Sequence, residues 1–279
     1  MERKIVIVGL GLIGGSLARA FRKYSGCTVA GFDRDESTAE AALAAGAVGK
    51  IATAADVRGA DIVFLCLYPR ACVEWTREHL GLLRRGCLVT DTCGVKSWIC
   101  PRMEELARES GFPFVGGHPM AGREKSGFAA SDADLFRGAS YLLAPGGAPR
   151  AAVDLLRSAV LPLGFSRTVE TTPREHDEMI AFTSQLPHAL ACAYVKSPRC
   201  PKHDGFSAGS YRDVSRVAGS SETMWTELFL ENREALTAEL DTLTGHIAEI
   251  RNAVAAGDAE TLRELLRDGR LVKERLGEA

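Results

Sequence analysis

Gly9-Leu10-Gly11-Leu12-Ile13-Gly14 follows directly on the apolar run Ile5-Val6-Ile7-Val8, and Asp33 stands 19 residues beyond Gly14. A bound dinucleotide imposes this spacing. The strand delivers the chain to a tight turn at Gly9, and Gly11 presents no side chain to a pyrophosphate. Gly14 lets the next helix pack close to the strand, and the free N–H groups at its start, around Leu12 and Ile13, face the phosphates. Asp33 ends a second short strand over 28–32 and is placed to accept hydrogen bonds from the adenosine ribose hydroxyls. Its carboxylate repels a 2′-phosphate and so favours NAD+, while Arg34 beside it keeps NADP+ open.

The competing reading of this stretch is a secretory leader, with Met1-Glu2-Arg3-Lys4 as its basic start, 5–17 as its apolar core and Ala18-Arg19-Ala20 as a cleavage site. Four glycines within that core, and the immediate continuation into a strand–helix–strand pattern ending at Asp33, argue against it. Cleavage would also remove the whole phosphate loop.

Outward from this motif, the first half alternates strand and helix. Strands are expected over 5–8, 28–32, 61–67, 88–91, 114–117, 141–144 and 167–169, with helices over 14–24, 37–45 and 150–160. The continuous apolar run Asp61-Ile62-Val63-Phe64-Leu65-Cys66-Leu67 suits a parallel strand buried on both faces. From Pro173 the pattern is helical throughout. One helix opens on Thr172 and Pro173 and runs past Pro187 to about Val195; 213–218, 221–255 (with a break near Gly245) and 259–276 follow. The fold class is therefore α/β: an N-terminal doubly wound, Rossmann-type NAD-binding domain over 1–170, followed by an all-α substrate and dimerisation domain over 171–279. The long helix of this second half carries more apolar surface than a small lobe covers alone, so a homodimer through it is expected.

The chain of 279 residues is long enough for two domains with real cores, and 46% apolar with 25% charged residues is ordinary for a globular protein. A net charge of −2 gives no electrostatic case for nucleic acid or an anionic membrane. No apolar run approaches the ~20 residues of a membrane helix. Eight cysteines without a CxxC pair read as reduced thiols of a cytoplasmic protein, with no metal site.

Ligands of such sheets bind beyond the carboxyl ends of the strands. Three polar clusters fall there: Tyr68-Pro69, Asp91-Thr92-Cys93-Gly94-Val95-Lys96 and Gly117-His118-Pro119-Met120-Ala121-Gly122. His118, between glycines and a proline, reads equally as a catalytic imidazole or as a strand cap.

Gly117-His118-Pro119-Met120-Ala121-Gly122 with Glu124-Lys125-Ser126-Gly127 resembles the histidine loop of the prephenate/arogenate dehydrogenases of tyrosine biosynthesis. So do Ser184-Gln185-Leu186-Pro187-His188, similar to that family's S-H-L-P-H helix, and Arg212-Asp213-Val214-Ser215-Arg216 with Met224-Trp225 and Glu231-Asn232. The motifs stand in the family's order from the phosphate loop to about Glu234. The resemblance implies an NAD+-dependent oxidative decarboxylation of prephenate to 4-hydroxyphenylpyruvate, with arogenate as the alternative small-molecule substrate. It makes His118 the base that takes the 4-hydroxyl proton as hydride leaves, and Arg216 the cation that holds the ring carboxylate. Glu124 then gates the pocket by pairing with Arg216, which Asp213 also stands one helical turn from. Arg212 is a solvated charge or, by resemblance, reaches a neighbouring subunit's site. His188 and Gln185 become substrate contacts, Trp225 a core residue or a site neighbour, and Lys96 a substrate or cofactor contact or simply a strand-end charge. His79, His176, His203 and His246 match no motif.

Two departures stand out. Where the family carries D-x-x-S-V-K, this chain has Gly94, so His118 must be oriented by something other than that hydroxyl, such as water. Gln185 replaces the first histidine of S-H-L-P-H and carries no charge. The chain ends at Ala279, where no regulatory or mutase extension is expected. Other two-domain NAD(P) dehydrogenases place a lysine or another group on a helix as the acid–base residue, and no such signature is found; a non-catalytic dinucleotide sensor would not need His118 with Arg216.

Overall fold

A computed structural model describes residues 3–277; Met1 and Glu2 of the leader reading, and the last two residues, lie outside the described residues. The first half runs β1 (Lys4–Val8), α1 (Leu12–Tyr24), β2 (Thr28–Phe32), α2 (Glu36–Ala44), β3 (Lys50–Ile51), α3 (Ala54–Gly59), β4 (Ile62–Leu65), α4 (Pro69–Glu78), β5 (Leu88–Asp91), α5 (Ile99–Ser110), β6 (Phe114–Pro119), β7 (Ser140–Ala144), α6 (Arg150–Val160) and β8 (Arg167–Glu170). The eight strands form one sheet in the order β3-β2-β1-β4-β5-β6-β7-β8. Neighbours are parallel except β6 and β7, which pair antiparallel with His118 opposite Leu142. The sheet is thus mixed rather than wholly parallel.

Side-chain alternation divides the core between the two faces. Ile5, Ile7 and Phe64 join Leu17 and Phe21 of α1 on one face. Val6, Val8, Val63 and Leu65 join Trp75 of α4 and Met103 of α5 on the other. Each such side chain, fully buried, contributes about 1.5–3 kcal/mol. All four residues of β4 and of β5 are buried, as a strand covered on both sides requires.

The second half is helical: α7 (Pro173–Ile180), α8 (Leu186–Tyr194), α9 (Gly209–Ser215), α10 (Glu222–Glu231), α11 (Arg233–Ala256) and α12 (Ala259–Arg275). The helix expected to run unbroken through Pro187 is interrupted by a π-helical turn, Ala181–Gln185. Pro187 has no N–H to give the preceding turn, and the wider turn before it accommodates that loss. The break expected near Gly245 falls instead at Asn232, between α10 and α11. A lone glycine costs a helix only about 1 kcal/mol, whereas the Asn232 side chain is committed to tertiary partners described below.

By packing, the chain divides into two compact units, 1–232 and 233–279. The boundary near 170 separates kinds of secondary structure; the first compact unit continues through α7 to α10. In the second unit Ile247, Ile250, Val254, Leu266 and Val272 are exposed apolar side chains.

Candidate active site

At the first turn, Gly9 has φ +88°, and a Cβ there would lie 2.5 Å from the Cys66 carbonyl oxygen. A Cβ on Gly14 would collide with the Gly9 carbonyl, while one on Gly11 meets nothing within 4 Å. The two outer glycines are therefore required by the protein's own close packing, and the middle one fronts open space at the start of α1. Among the described residues no side chain caps that helix start, so its N–H groups at Leu12 and Ile13 are available to an anion. One Asp33 carboxylate oxygen accepts the Leu10 N–H at 2.7 Å and the other the Asp35 N–H at 3.0 Å. Each oxygen keeps a lone pair for a ribose hydroxyl. Arg34 is exposed beside it. These residues fit a dinucleotide.

Beyond the carboxyl ends of β1, β5 and β6 lies a cleft of about 650 Å³. Leu12 and Ile13 of α1 line it together with Tyr68, Thr92, Gly94 and His118 from the sheet edge. The helical side contributes Ser184, Gln185, His188, Arg216, Trp225 and Leu228, and the loop after β6 adds Glu124. His118 and Arg216 thus border the same space.

Arg216 pairs with Glu124 through Nη1 and Oε1. The backbone N–H of Glu124 itself and then the Arg216 guanidinium hold this carboxyl below the usual carboxylate range. Arg216 is solvent-exposed, so the pair is weak in water and exchanges at little cost for another carboxylate. Asp213 is not its partner. Arg212 is exposed and absent from the cleft lining, so within one chain it does not join the site.

His188 lies face to face with Trp225, ring centroids 3.7 Å apart. Its Nδ1 donates to the Ser184 carbonyl at 2.8 Å, which leaves Nε2 as an acceptor. Burial lowers its pKa from the ordinary 6.5. The Trp225 indole N–H is buried without a partner among the described residues. Gln185 is buried at the cleft wall with its amide already engaged: Nε2 donates to the Leu228 carbonyl at 3.1 Å, and Oε1 accepts from Asn232 at 2.7 Å. Asn232 also donates to the Asp177 carbonyl at 2.9 Å. The break after α10 therefore serves to tie α7, the π turn and α10 together.

Lys96 is not at the cleft, which corrects its reading as a substrate or cofactor contact. Its ammonium is fully buried, 2.6 Å from Asp91 Oδ2 and 2.8 Å from the Cys93 carbonyl. Burial opposes its charge, but the Asp91 carboxylate more than offsets this and leaves its pKa raised. Asp91 in turn accepts the Cys93 N–H at 2.9 Å and the Gly117 N–H at 3.1 Å. The pair thus fastens the loop after β5 to the strand that carries His118. Lys96→Met strands a buried carboxylate, and a loss of about 3–5 kcal/mol is expected in urea denaturation.

The sequence reading passed over His176 and Asp177. His176 Nε2 lies 2.9 Å from His118 Nδ1, and His176 Nδ1 lies 2.7 Å from Asp177 Oδ1. Asp177 also accepts the backbone N–H groups of Lys96 and Ser97, each at 2.7 Å. The neighbour that orients His118 through Nδ1 is therefore a second imidazole. The adjacent His-Asp pair was the only signal, and His203-Asp204 on the loop before α9 carries the same pair.

A profile described as "Prephenate dehydrogenase, nucleotide-binding domain" matches residues 17–167, and one described as "Prephenate dehydrogenase, dimerization domain" matches 172–268. The chain is 34% identical to a prephenate dehydrogenase of Bacillus subtilis, over 94% of this chain and 73% of that protein. Among solved structures it resembles a prephenate dehydrogenase from A. aeolicus in complex with hydroxyphenyl propionate and NAD+, with a TM-score of 0.87 and 26% identity over 99% of both chains. It also resembles Synechocystis arogenate dehydrogenase, with a TM-score of 0.81 and 27% identity over 98% of this chain and 99% of the other.

Proposed function

This chain belongs to the prephenate dehydrogenase family, and on that premise we propose that it oxidises and decarboxylates prephenate to 4-hydroxyphenylpyruvate with NAD+, in tyrosine biosynthesis. The observation that carries the reading is that His118 and Arg216, from different parts of the chain, border one cleft beside the glycine-rich turn. NAD+, when bound, supplies the acceptor for the hydride that leaves C4 of the substrate as CO2 departs from C1.

The chain's own residues do the rest. A neutral hydroxyl is a poor hydride donor, so a base must take its proton as the C–H bond breaks. His118 fills that role through Nε2, since Nδ1 is engaged by His176. Arg216 exchanges Glu124 for the ring carboxylate and fixes the far pole of the substrate through two parallel N–H···O bonds. His188 and Trp225 form one wall, and His188 Nε2 offers an acceptor to the substrate's side chain. Gln185 acts on the substrate only through its place in the wall.

Burial, then the neighbouring His176 ring and the Lys96 charge, hold the His118 pKa well below the ordinary 6.5. The base is therefore already neutral at pH 7. Activity is lost only as the pH falls through this depressed value, so kcat/KM is expected to stay level from neutral pH down into the usual imidazole range. A pH–rate profile that titrates at the ordinary imidazole value contradicts this.

Arogenate is the second reading, and one observation favours it: Glu222, in the first turn of α10, lines the same cleft and offers a carboxylate to an amine. Steady-state kinetics with prephenate and arogenate side by side, each with NAD+ and NADP+, decide between the substrates. Turnover of neither substrate overturns the assignment. We take the nucleotide-binding part as 1–170 and the helical part as 171–279, a homodimer formed through the latter, and a cytoplasmic location. The apolar side chains exposed on α11 and α12 support the dimer, and light scattering at micromolar concentration tests it.

A further inference from the structure

We propose that His176 and Asp177 are positioning residues that fix the tautomer of His118, so that its bare nitrogen is the one presented to the cleft. This rests on the reading of His118 as the base. The argument starts at Asp177, whose carboxylate accepts two backbone N–H groups and faces His176 Nδ1 at 2.7 Å. Burial works against its charge, yet the His176 hydrogen bond and the backbone donors keep its pKa below the ordinary value. An ionised carboxylate can only accept, so the proton of the His176 ring sits on Nδ1.

His176 is 2% exposed, and burial, its largest influence, lowers its pKa. The Lys96 charge acts in the same direction, against Asp177 and Asp91. A neutral ring protonated at Nδ1 has a lone pair at Nε2. The atom 2.9 Å from that lone pair is His118 Nδ1, which must therefore carry a hydrogen. His118 Nε2 is left bare. The reverse arrangement requires a doubly protonated His176 in a buried site beside Lys96.

Other parts of the fold hold the array in place. Thr172 caps α7 by accepting the Glu175 N–H, and Asn232 grips the Asp177 carbonyl. Gly94, across the cleft, has no side chain to offer His118. When the substrate O–H bond breaks, its proton forms the Nε2–H bond of His118. The Nδ1–H of the resulting imidazolium stays donated to His176, and no second transfer is needed. This is the division of labour in which a buried carboxylate sets the tautomer of a catalytic imidazole, here through an intervening ring.

The test has an arm that is independent of turnover. The protein has six histidines, and long-range 1H–15N spectra of histidine-labelled protein report each ring's tautomer, with His118→Asn providing the assignment. The expected result is a neutral His118 protonated at Nδ1 in the unmodified protein and a shift toward the Nε2–H form in Asp177→Asn. In kinetics, His176→Gln keeps an acceptor near the Nε2 position and is expected to retain kcat within about fivefold, whereas His176→Phe loses about 10²-fold, with KM for prephenate and NAD+ nearly unchanged. Thermal melting of both variants separates a folding defect from loss of the acceptor. A His118 protonated at Nε2 in the unmodified protein, or full kcat in His176→Phe, overturns the proposal. If the unmodified protein turns over neither prephenate nor arogenate, the functional reading fails, and the tautomer spectra still decide the array.

Discussion

His118→Asn is expected to lower kcat by about 10²–10⁴-fold, the usual range for losing a general base. Asn retains a polar group of similar reach but takes no proton near neutral pH, so the 4-hydroxyl keeps its hydrogen as hydride departs. His118 lies in β6, held by the Asp91 carboxylate at Gly117 and paired in register with Leu142. Those contacts use backbone atoms that the substitution leaves alone. The glycine-rich turn is built from other strands, so the dissociation constant of NAD+, read by fluorescence titration, should change by less than about twofold. Retained turnover would remove His118 from the chemistry. A large loss of NAD+ binding would mean that the imidazole serves the cofactor instead.

The second large effect is expected at Arg216. Its guanidinium, largely exposed and paired with Glu124, is available for a carboxylate. Charge-assisted hydrogen bonds of this kind contribute about 1.5–3 kcal/mol, so Arg216→Ala should raise KM for prephenate on the order of 10- to 100-fold. Affinity for NAD+ should stay close to normal. Arg216→Lys keeps the charge but not the planar fork, and should recover only part of the loss. An unchanged KM in the alanine variant sinks the assignment. Glu124→Gln makes the converse point: it frees Arg216 from its ion pair, and steady-state kinetics should show a lower KM for prephenate.

The fold was readable where local spacing carries the information. Gly9, Gly11, Gly14 and Asp33 are set by the span of a dinucleotide, and the runs at β4 and β5 by burial on both faces. Strand direction was not readable: nothing in Tyr141-Leu142-Leu143 says that β7 runs against β6. The helix breaks were misjudged for a related reason. Glycine at 245 looked like a weak point, but Asn232 ends α10 because its side chain is spent on Asp177 and Gln185.

In the site, the residues recognised by motif reach the cleft when they sit at its edge, as His118, His188, Glu124 and Arg216 do. Lys96 and Gln185 share those motifs but spend their polar atoms inside the protein. His176 was missed because its importance comes from a contact between α7 and β6, 58 residues apart. Such pairs are invisible to any window moved along a single chain.

One contact bears on how the molecule can be divided. The oxygens of Asp177 reach back about eighty positions to seize the Lys96 and Ser97 amides. A fragment severed near residue 170 would keep its nucleotide cradle whole, yet leave the Lys96 and Ser97 amides bereft of the acceptor that holds the loop after β5. Swapping helical lobes between relatives would meet the same obstacle unless the aspartate travelled with the strand-end loop it clasps.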